Sequence, residues 1–166
     1  MNNRLILDNK KIKKILTRIA YQIVEINLNE SEIFLVGVQK NGFEIAQLIN
    51  SELEKISKLK TNVVSISIDK KKPNKKIYSD LNLELISNKN IILVDDVLNT
   101  GKTLIHAVKY LLNSTLTKLI TVVLIDRNHK IFPIKVDIKG TSISTTIDQR
   151  IDVIVENGNL RALISE

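Results

Sequence analysis

The segment Ile91–Thr103 reads IILVDDVLNTGKT and carries the strongest structural signal in this chain. Four apolar residues that favour β-structure are followed by two adjacent carboxylates, Asp95 and Asp96. A threonine, a glycine, a lysine and a second threonine then precede an amphipathic stretch. This order predicts a buried strand that carries two acids to the carboxyl edge of a sheet, then a tight glycine turn and a helix.

The predicted turn has the properties of an anion site. The first N–H groups of a helix have no partner within the helix, and the helix dipole favours negative charge beside them. Thr100 and Thr103 add hydroxyl donors, which suit a phosphate monoester. Carboxylates nearby suit the hydroxyl groups of a sugar. These residue types together indicate a site for a ribose 5-phosphate.

An ATP-binding P-loop is the nearest alternative, because Gly-Lys-Thr is part of that motif. The P-loop needs a second glycine five residues before Gly101, and this chain has Asp96 there. The two acids would also repel a triphosphate. The sequence therefore disfavours a nucleotide triphosphate at this turn.

Hydrophobic spacing predicts the surrounding elements. Asp8 is placed to cap a helix whose apolar residues recur every three or four positions as far as Val24. The remaining predicted elements are strands at 33–38, 62–68, 91–94 and 119–125, helices at 42–56 and 103–113, and short segments near 136 and at 151–155. Alternating strands and helices indicate an α/β fold with a mostly parallel sheet, in which ligands lie beyond the carboxyl ends of the strands.

Composition limits the class of protein. The 166 residues fit one domain, 1–166, and contain no cysteine, so disulfides, thiol nucleophiles and cysteine metal sites are excluded. No apolar run approaches the length of a membrane span, and we expect a cytoplasmic protein without a membrane partner. The net charge of +7 is consistent with phosphate-rich ligands.

The acid pair and its loop resemble the ribose-phosphate motif of type I phosphoribosyltransferases. The resemblance implies a single-domain α/β fold of that type, with a mostly parallel central sheet flanked by helices and a small flexible flap or hood. It implies that Asp95 and Asp96 are catalytic and bind the ribose hydroxyls of 5-phosphoribosyl-1-diphosphate (PRPP). The implied PRPP-binding residues that follow are Val97, Leu98, Asn99, Thr100, Gly101, Lys102 and Thr103.

The same resemblance implies three further parts of the site. Gln39 and Lys40 fall where the family binds diphosphate, often beside a cis peptide bond. Residues 69–87 are polar and lysine-rich, lack a core pattern and fall where the family has a flap that closes over PRPP. Mg²⁺ is the implied cofactor, held through PRPP and not by direct protein ligands.

Residues 122–137, with Asp126-Arg127-Asn128-His129, resemble the bacterial pyrimidine-operon attenuation regulators. Residues 5–8 and 16–23 resemble the N-terminal helix of those proteins, which bind RNA and have uracil phosphoribosyltransferase activity. The implied RNA-binding positions are Thr17, Arg18, Arg127, His129 and Lys130. Tyr21 stands where the regulators commonly have histidine, and Asn41 replaces a usual arginine.

The acceptor base is the final expectation. Asn99 stands where 6-oxopurine enzymes carry an aspartate, and an amide cannot act as a base, so purine transfer is disfavoured. Ile138 and Lys139 fall at the family's base-binding place. We expect phosphoribosyl transfer to uracil in a homodimer or higher oligomer, with pyrimidine-operon RNA as a further partner. The alternatives are a PRPP- or nucleotide-sensing regulator with little catalysis, and transfer to another base such as adenine.

Overall fold

The structure is a computed structural model that describes residues 3–69, 77–79, 81–156 and 158–166. The elements, in chain order, are β1 (Arg4–Leu7), α1 (Asn9–Ile26), β2 (Glu32–Val38), α2 (Asn41–Ile56), β3 (Lys60–Ser67), β4 (Tyr78–Ser79), β5 (Asn90–Leu98), α3 (Lys102–Leu111), β6 (Lys118–Asp126), β7 (Ile138–Ser142), β8 (Arg150–Glu156) and β9 (Asn159–Ser165). The strands form two sheets.

The larger sheet has the order β4-β3-β2-β5-β6-β7. Its five longer strands run parallel, and the short β4 pairs antiparallel with β3. The acid-bearing β5 lies between β2 and β6, where a parallel strand is covered on both faces and is therefore apolar along its length. The predicted α/β fold with a mostly parallel central sheet is confirmed.

Helices cover both faces of this sheet. α1 and α2 pack on one face, where Ile12, Ile19, Ile45 and Ile49 are fully buried among alternate residues of the strands. α3 packs on the opposite face in a second apolar cluster. Each such side chain contributes about 1.5–3 kcal/mol when it leaves water. The two clusters fix the direction in which every strand end points.

A smaller antiparallel sheet, β1-β9-β8, joins the two ends of the chain, and we call it the hood. Arg4 pairs with Ile164, and Ile151 pairs with the same residue from the other side. The inner residues of the hood, including Val153 and Ala162, belong to the same apolar cluster as α1 and α2. The hood is therefore part of one domain with the parallel sheet.

Two expectations about local structure are wrong. Residues 5–8 resemble part of an N-terminal helix, but Leu5 and Leu7 lie in strand β1, which completes the antiparallel hood, and Asp8 is the N-cap of α1. Leu81 and Ile86, within the segment expected to lack core residues, are buried in the cluster that includes α3. The lysine run at 70–76 lies outside the described residues, so the predicted flap motion stays a prediction.

Candidate active site

The acid pair lies at an interruption of the sheet. The β2–β5 ladder ends at Gly37 and Val94, so β5 continues without β2 as a partner. The amides of Asp96 and Val97 donate instead to the side chains of Asp95 and Asp96, at 2.9 and 2.8 Å. These bonds hold two consecutive carboxylates, 5% and 9% exposed, against one cleft that both acids line.

The phosphate loop, residues 99–103, follows β5 directly. Gly101 has φ +82°, a left-handed conformation that other L-residues adopt at a cost, and it stands at the N-terminus of α3. A Cβ at this position would lie 2.6 Å from Cγ2 of Ile134. Both the backbone conformation and the packing therefore require glycine at the turn, as the sequence predicts.

The N-termini of α2 and α3 lie at this edge of the sheet and differ from the N-terminus of α1. Asp8 caps α1 by accepting from the Lys11 amide at 2.8 Å. Neither α2 nor α3 has a side-chain cap, and their first residues, Asn41 and Lys102, line the cleft. Amides at an uncapped helix start suit a phosphate or diphosphate oxygen.

The cleft has a volume of about 540 Å³. One wall is formed by residues 95–104, and the other by the first residues of β8, Arg150–Val153. Asn41 joins the two walls, because its Nδ2 donates to Asp96 Oδ2 and to the Val153 carbonyl, both at 2.8 Å. The sequence predicted a short segment at 151–155 but not its place in the cleft, although the alternating apolar residues of β8 and β9 are a hairpin signal.

The predicted diphosphate loop lies beside the cleft, and its peptide bond between Gln39 and Lys40 is cis. The Gln39 amide donates to the Ile66 carbonyl at 2.9 Å, and its Nε2 donates to Ser65 Oγ at 3.2 Å. These two bonds tie Gln39 to β3. Diphosphate binding by Gln39 and Lys40 stays a prediction.

The predicted base-binding pair does not line the cleft. Ile138 is 6% exposed and belongs to the apolar core beside α1. Lys139 is exposed, and its Nζ lies 3.4 Å from the buried carboxylate of Asp126. The strand turns the Ile138 side chain into the core and away from the cleft, and its contact with a base stays a prediction. The β8 wall is the surface that faces the acid pair across the cleft.

The predicted RNA-binding residues divide into two groups. Arg18 is exposed on α1 and donates to the Lys139 and Gly140 carbonyls, and Lys130 is exposed near Asp126. Thr17 donates to Glu52 at 2.8 Å, and His129 Nε2 donates to the Thr145 carbonyl at 2.7 Å.

Arg127, the fifth predicted RNA-binding residue, is 6% exposed and donates to Asn99 and Thr145 inside the protein, and its contact with RNA stays a prediction.

The cleft contains oxygen ligands of the kind that Mg²⁺ prefers, namely the carboxylates of Asp95 and Asp96. Across residues 3–69, 77–79, 81–156 and 158–166, no group of three or more His, Cys, Asp or Glu side chains is arranged to hold a metal ion. This donor set fits an ion that takes most of its ligands from substrate and water. No helix of the described chain is long and apolar enough to cross a membrane.

An acid pair, a glycine turn and two uncapped helix starts lie together at one edge of a parallel sheet, in an α/β protein whose site has the groups needed to bind a phosphorylated sugar. Residues 3–156 match the phosphoribosyl transferase domain family, and the chain belongs to that family, in its type I class. It is an enzyme of the phosphoribosyltransferase class.

Similar proteins agree with this assignment. The chain is 38% identical over 156 residues to the bifunctional protein PyrR of Clostridium kluyveri, covering 90% of this chain and 88% of that one. It is 36% identical over 163 residues to the PyrR of Leuconostoc mesenteroides, covering 94% and 93%.

Among solved structures, the hypoxanthine phosphoribosyltransferase of Trypanosoma cruzi superposes with a TM-score of 0.81 at 17% identity, over 98% of this chain and 97% of that one. A hypoxanthine-guanine phosphoribosyltransferase from Bacillus anthracis gives 0.74 at 21% identity, over 98% and 99%. These two structures support the fold.

Proposed function

We propose that this protein transfers the 5-phosphoribosyl group of PRPP to uracil and releases diphosphate. The observation that carries the proposal is the single cleft that contains both the acid pair and the phosphate loop. The resemblance of residues 122–137 to the pyrimidine regulators, and the similarity to proteins named bifunctional PyrR, support uracil as the acceptor.

In this proposal each part of the cleft has a separate task. The start of α3, with the hydroxyls of Thr100 and Thr103, binds the 5′-phosphate. Asp95 and Asp96 accept hydrogen bonds from the ribose hydroxyls, and their negative charge favours the oxocarbenium-like sugar of the transition state. The Lys40 segment and the start of α2 hold the departing diphosphate.

The bond from C1 of the ribose to the diphosphate oxygen breaks largely before the new bond from C1 to the uracil nitrogen forms. The proton of that nitrogen leaves to solvent. No covalent nucleophile takes part, so catalysis comes from positioning and from stabilising charge. Asp95 and Asp96 would lie beside a bound Mg²⁺, and the ion would supply positive charge against the leaving diphosphate.

The first experiment measures diphosphate release from PRPP and Mg²⁺ with uracil, cytosine, adenine, hypoxanthine or guanine in turn. We expect release above background with uracil alone. Release with adenine instead would assign another base. PRPP binding without release for any base would indicate a sensing regulator with little catalysis, a candidate that the burial of Ile138 away from the cleft favours.

Binding to a pyrimidine-operon leader RNA is the second proposed activity, and exposed cations on α1 and beside Asp126 support it. A gel shift at several salt concentrations compares the leader with an unrelated hairpin of equal length. Replacing Arg18 or Lys130 with Gln should weaken leader binding and reduce the salt slope by about one unit each. The cytoplasmic location and the homodimer remain predictions, and sedimentation equilibrium checks the second.

A further inference from the structure

Arg127 is the most heavily hydrogen-bonded buried cation among the described residues. It follows β6 directly, and its backbone amide donates to the carbonyl of Leu98, the last residue of β5. Its side chain extends between two loops that are far apart in sequence, the phosphate loop and residues 145–149. We call residues 145–149 the hood loop, because they lead directly into β8.

The guanidinium bonds to both loops at once. Nη1 donates to Asn99 Oδ1 at 2.8 Å in the phosphate loop. On the other side, Nε donates to Thr145 Oγ1 at 2.5 Å, and Nη2 donates to the carbonyls of Thr146, at 2.9 Å, and Gln149. A planar guanidinium with several fixed donors holds such an arrangement more rigidly than a single ammonium group can.

The acceptors of Arg127 are all neutral. Within the described part of the chain, no carboxylate lies within 4.0 Å of its guanidinium, since the ion pairs of those residues involve other cations. A buried cation is costly without a counter-charge. Arg127 lines the cleft, so an anionic ligand bound there would bring the missing negative charge close to it.

We propose that Arg127 is a positioning residue that makes the placement of the hood loop, and so of the β8 wall, depend on an occupied phosphate loop. This inference rests on the proposed PRPP site. Phosphate bound at residues 99–103 fixes Asn99, Asn99 fixes the guanidinium, and the guanidinium fixes the loop that starts β8. The chain of contacts links the phosphate end of the cleft to the β8 wall, where the base would bind in this proposal.

Three variants separate the two halves of this link. Arg127→Lys keeps the positive charge but loses the planar guanidinium with its several donors. Asn99→Ala removes only the hydrogen bond to the phosphate loop, and Thr145→Val removes only the side-chain hydrogen bond to the hood loop. Arg161→Lys is the matched control, because Arg161 is an exposed arginine on β9 that pairs with Glu156. Asn99 and Thr145 lie in surface loops, so these two variants test the link even if Arg127→Lys folds poorly.

The first measurements are the Kd for PRPP with Mg²⁺ by calorimetry and the KM for uracil. Arg127→Lys should weaken both by about 10-fold or more, since it loses charged hydrogen bonds to both loops. Asn99→Ala should raise mainly the Kd for PRPP, and Thr145→Val mainly the KM for uracil, each about 3- to 10-fold. A uniform loss of structure would not produce this split.

The second measurement is amide hydrogen exchange of residues 145–149, which do not line the cleft. PRPP should slow this exchange in the wild type and in Arg161→Lys, but not in Arg127→Lys or Asn99→Ala. Unchanged binding and unchanged exchange in Arg127→Lys would overturn the inference. If the wild type binds no PRPP, the proposed function fails. Faster amide exchange of the phosphate loop and the hood loop in ligand-free Arg127→Lys than in the ligand-free wild type would still show that Arg127 connects the two loops.

Discussion

Residues 95–104 and residues 150–153 face each other across the cleft, but the chain builds these two walls in different ways. The first wall is a continuous strand, turn and helix start, held by a parallel sheet with apolar clusters on both faces. The second is one strand of a three-stranded sheet made from both ends of the chain. The strand of the first wall pairs with partners 28 and 57 positions away. In the second wall β8 pairs with the adjacent strand β9, and β9 in turn pairs with β1 across 155 to 160 positions.

The two walls differ in how firmly the rest of the protein holds them. The phosphate loop follows a strand that lies between β2 and β6 as far as Val94 and stays paired with β6 to Leu98, so the loop amides are held in position before a ligand arrives. The hood is connected to that wall by a few polar side chains, of which Asn41 and Arg127 are the clearest. A constant phosphoribosyl group suits the first wall, and a variable base suits the second.

The largest expected effect comes from Gly101→Ala in the first wall. The left-handed φ and the 2.6 Å approach to Ile134 add strain and overlap, so we expect a loss of about 3 kcal/mol in the free energy of unfolding. Relief of the overlap would move the loop, so PRPP affinity should fall as well. Urea denaturation and calorimetry measure the two effects, and unchanged stability with unchanged affinity would contradict the account of this turn.

An intermediate effect is expected from Asn41→Ala, which cuts a connection between the walls. The variant leaves the Asp96 carboxylate and the Val153 carbonyl without their shared donor, at a cost of about 1–2 kcal/mol. The KM for uracil should rise because β8 is less firmly placed. Asn9→Ala is the matched control, since Asn9 connects α1 to Asn159 and Leu160 of the hood and does not contact the acids. Equal kinetic losses in both variants would remove Asn41 from the site.

A smaller effect is expected from Gly158→Ala, which introduces the same residue in the turn that connects β8, the second wall, to β9. Gly158 has φ +76°, but a Cβ there meets no atom within 4 Å. Only the strain of the left-handed backbone remains, so the free energy of unfolding should fall by about 1 kcal/mol. Calorimetry should give the same Kd for PRPP in this variant as in the wild type. A destabilisation as large as that of Gly101→Ala would mean that the two walls do not differ in packing.

The smallest effect concerns the amino-terminal edge of the parallel sheet, far from the cleft. Lys60, and then Lys89 and Asn62, hold the pKa of the Glu32 carboxyl at about 2, below its ordinary 4.5. Because this pKa is lowered on folding, Glu32 stabilises the protein fully above about pH 4.5, and that contribution is lost as the pH falls toward 2.

Glu32→Gln tests this electrostatic contribution. Unfolding free energies of the wild type and the variant should differ most near neutral pH and converge between pH 4.5 and 2. A difference that does not change with pH would exclude the ion pairs as its cause. PRPP binding near neutral pH should be equal in both proteins.

The first wall could be predicted from the sequence because its signals are local. An apolar run, two acids and a glycine fix a strand, a turn and a helix start without reference to the rest of the chain. The helix bounds were also close, since Asp8 caps α1 as its residue type predicts.

The second wall was predicted only in part, because β1 has four residues and its partner β9 lies at the other end of the chain. The Asn157-Gly158 dipeptide between two alternating apolar runs is a hairpin signal that could have indicated β8 and β9 together. Ile138 was assigned to the base because of its position in the resembled family, and only the packing of the folded chain places its side chain in the core. The roles of Arg127 and Asn41 depend on contacts between distant loops, which sequence spacing does not reveal.

The central claim is that the cleft binds PRPP through the acid pair and the adjoining phosphate loop. The most direct test is calorimetric titration of PRPP with Mg²⁺ into the wild type, Asp95→Asn with Asp96→Asn, and Asp137→Asn. Asp137 is a matched control, because it is a hydrogen-bonded aspartate outside the cleft. We predict micromolar-range binding in the wild type and the control, and a loss of about 100-fold in the double variant. Equal affinity in all three proteins would contradict the account.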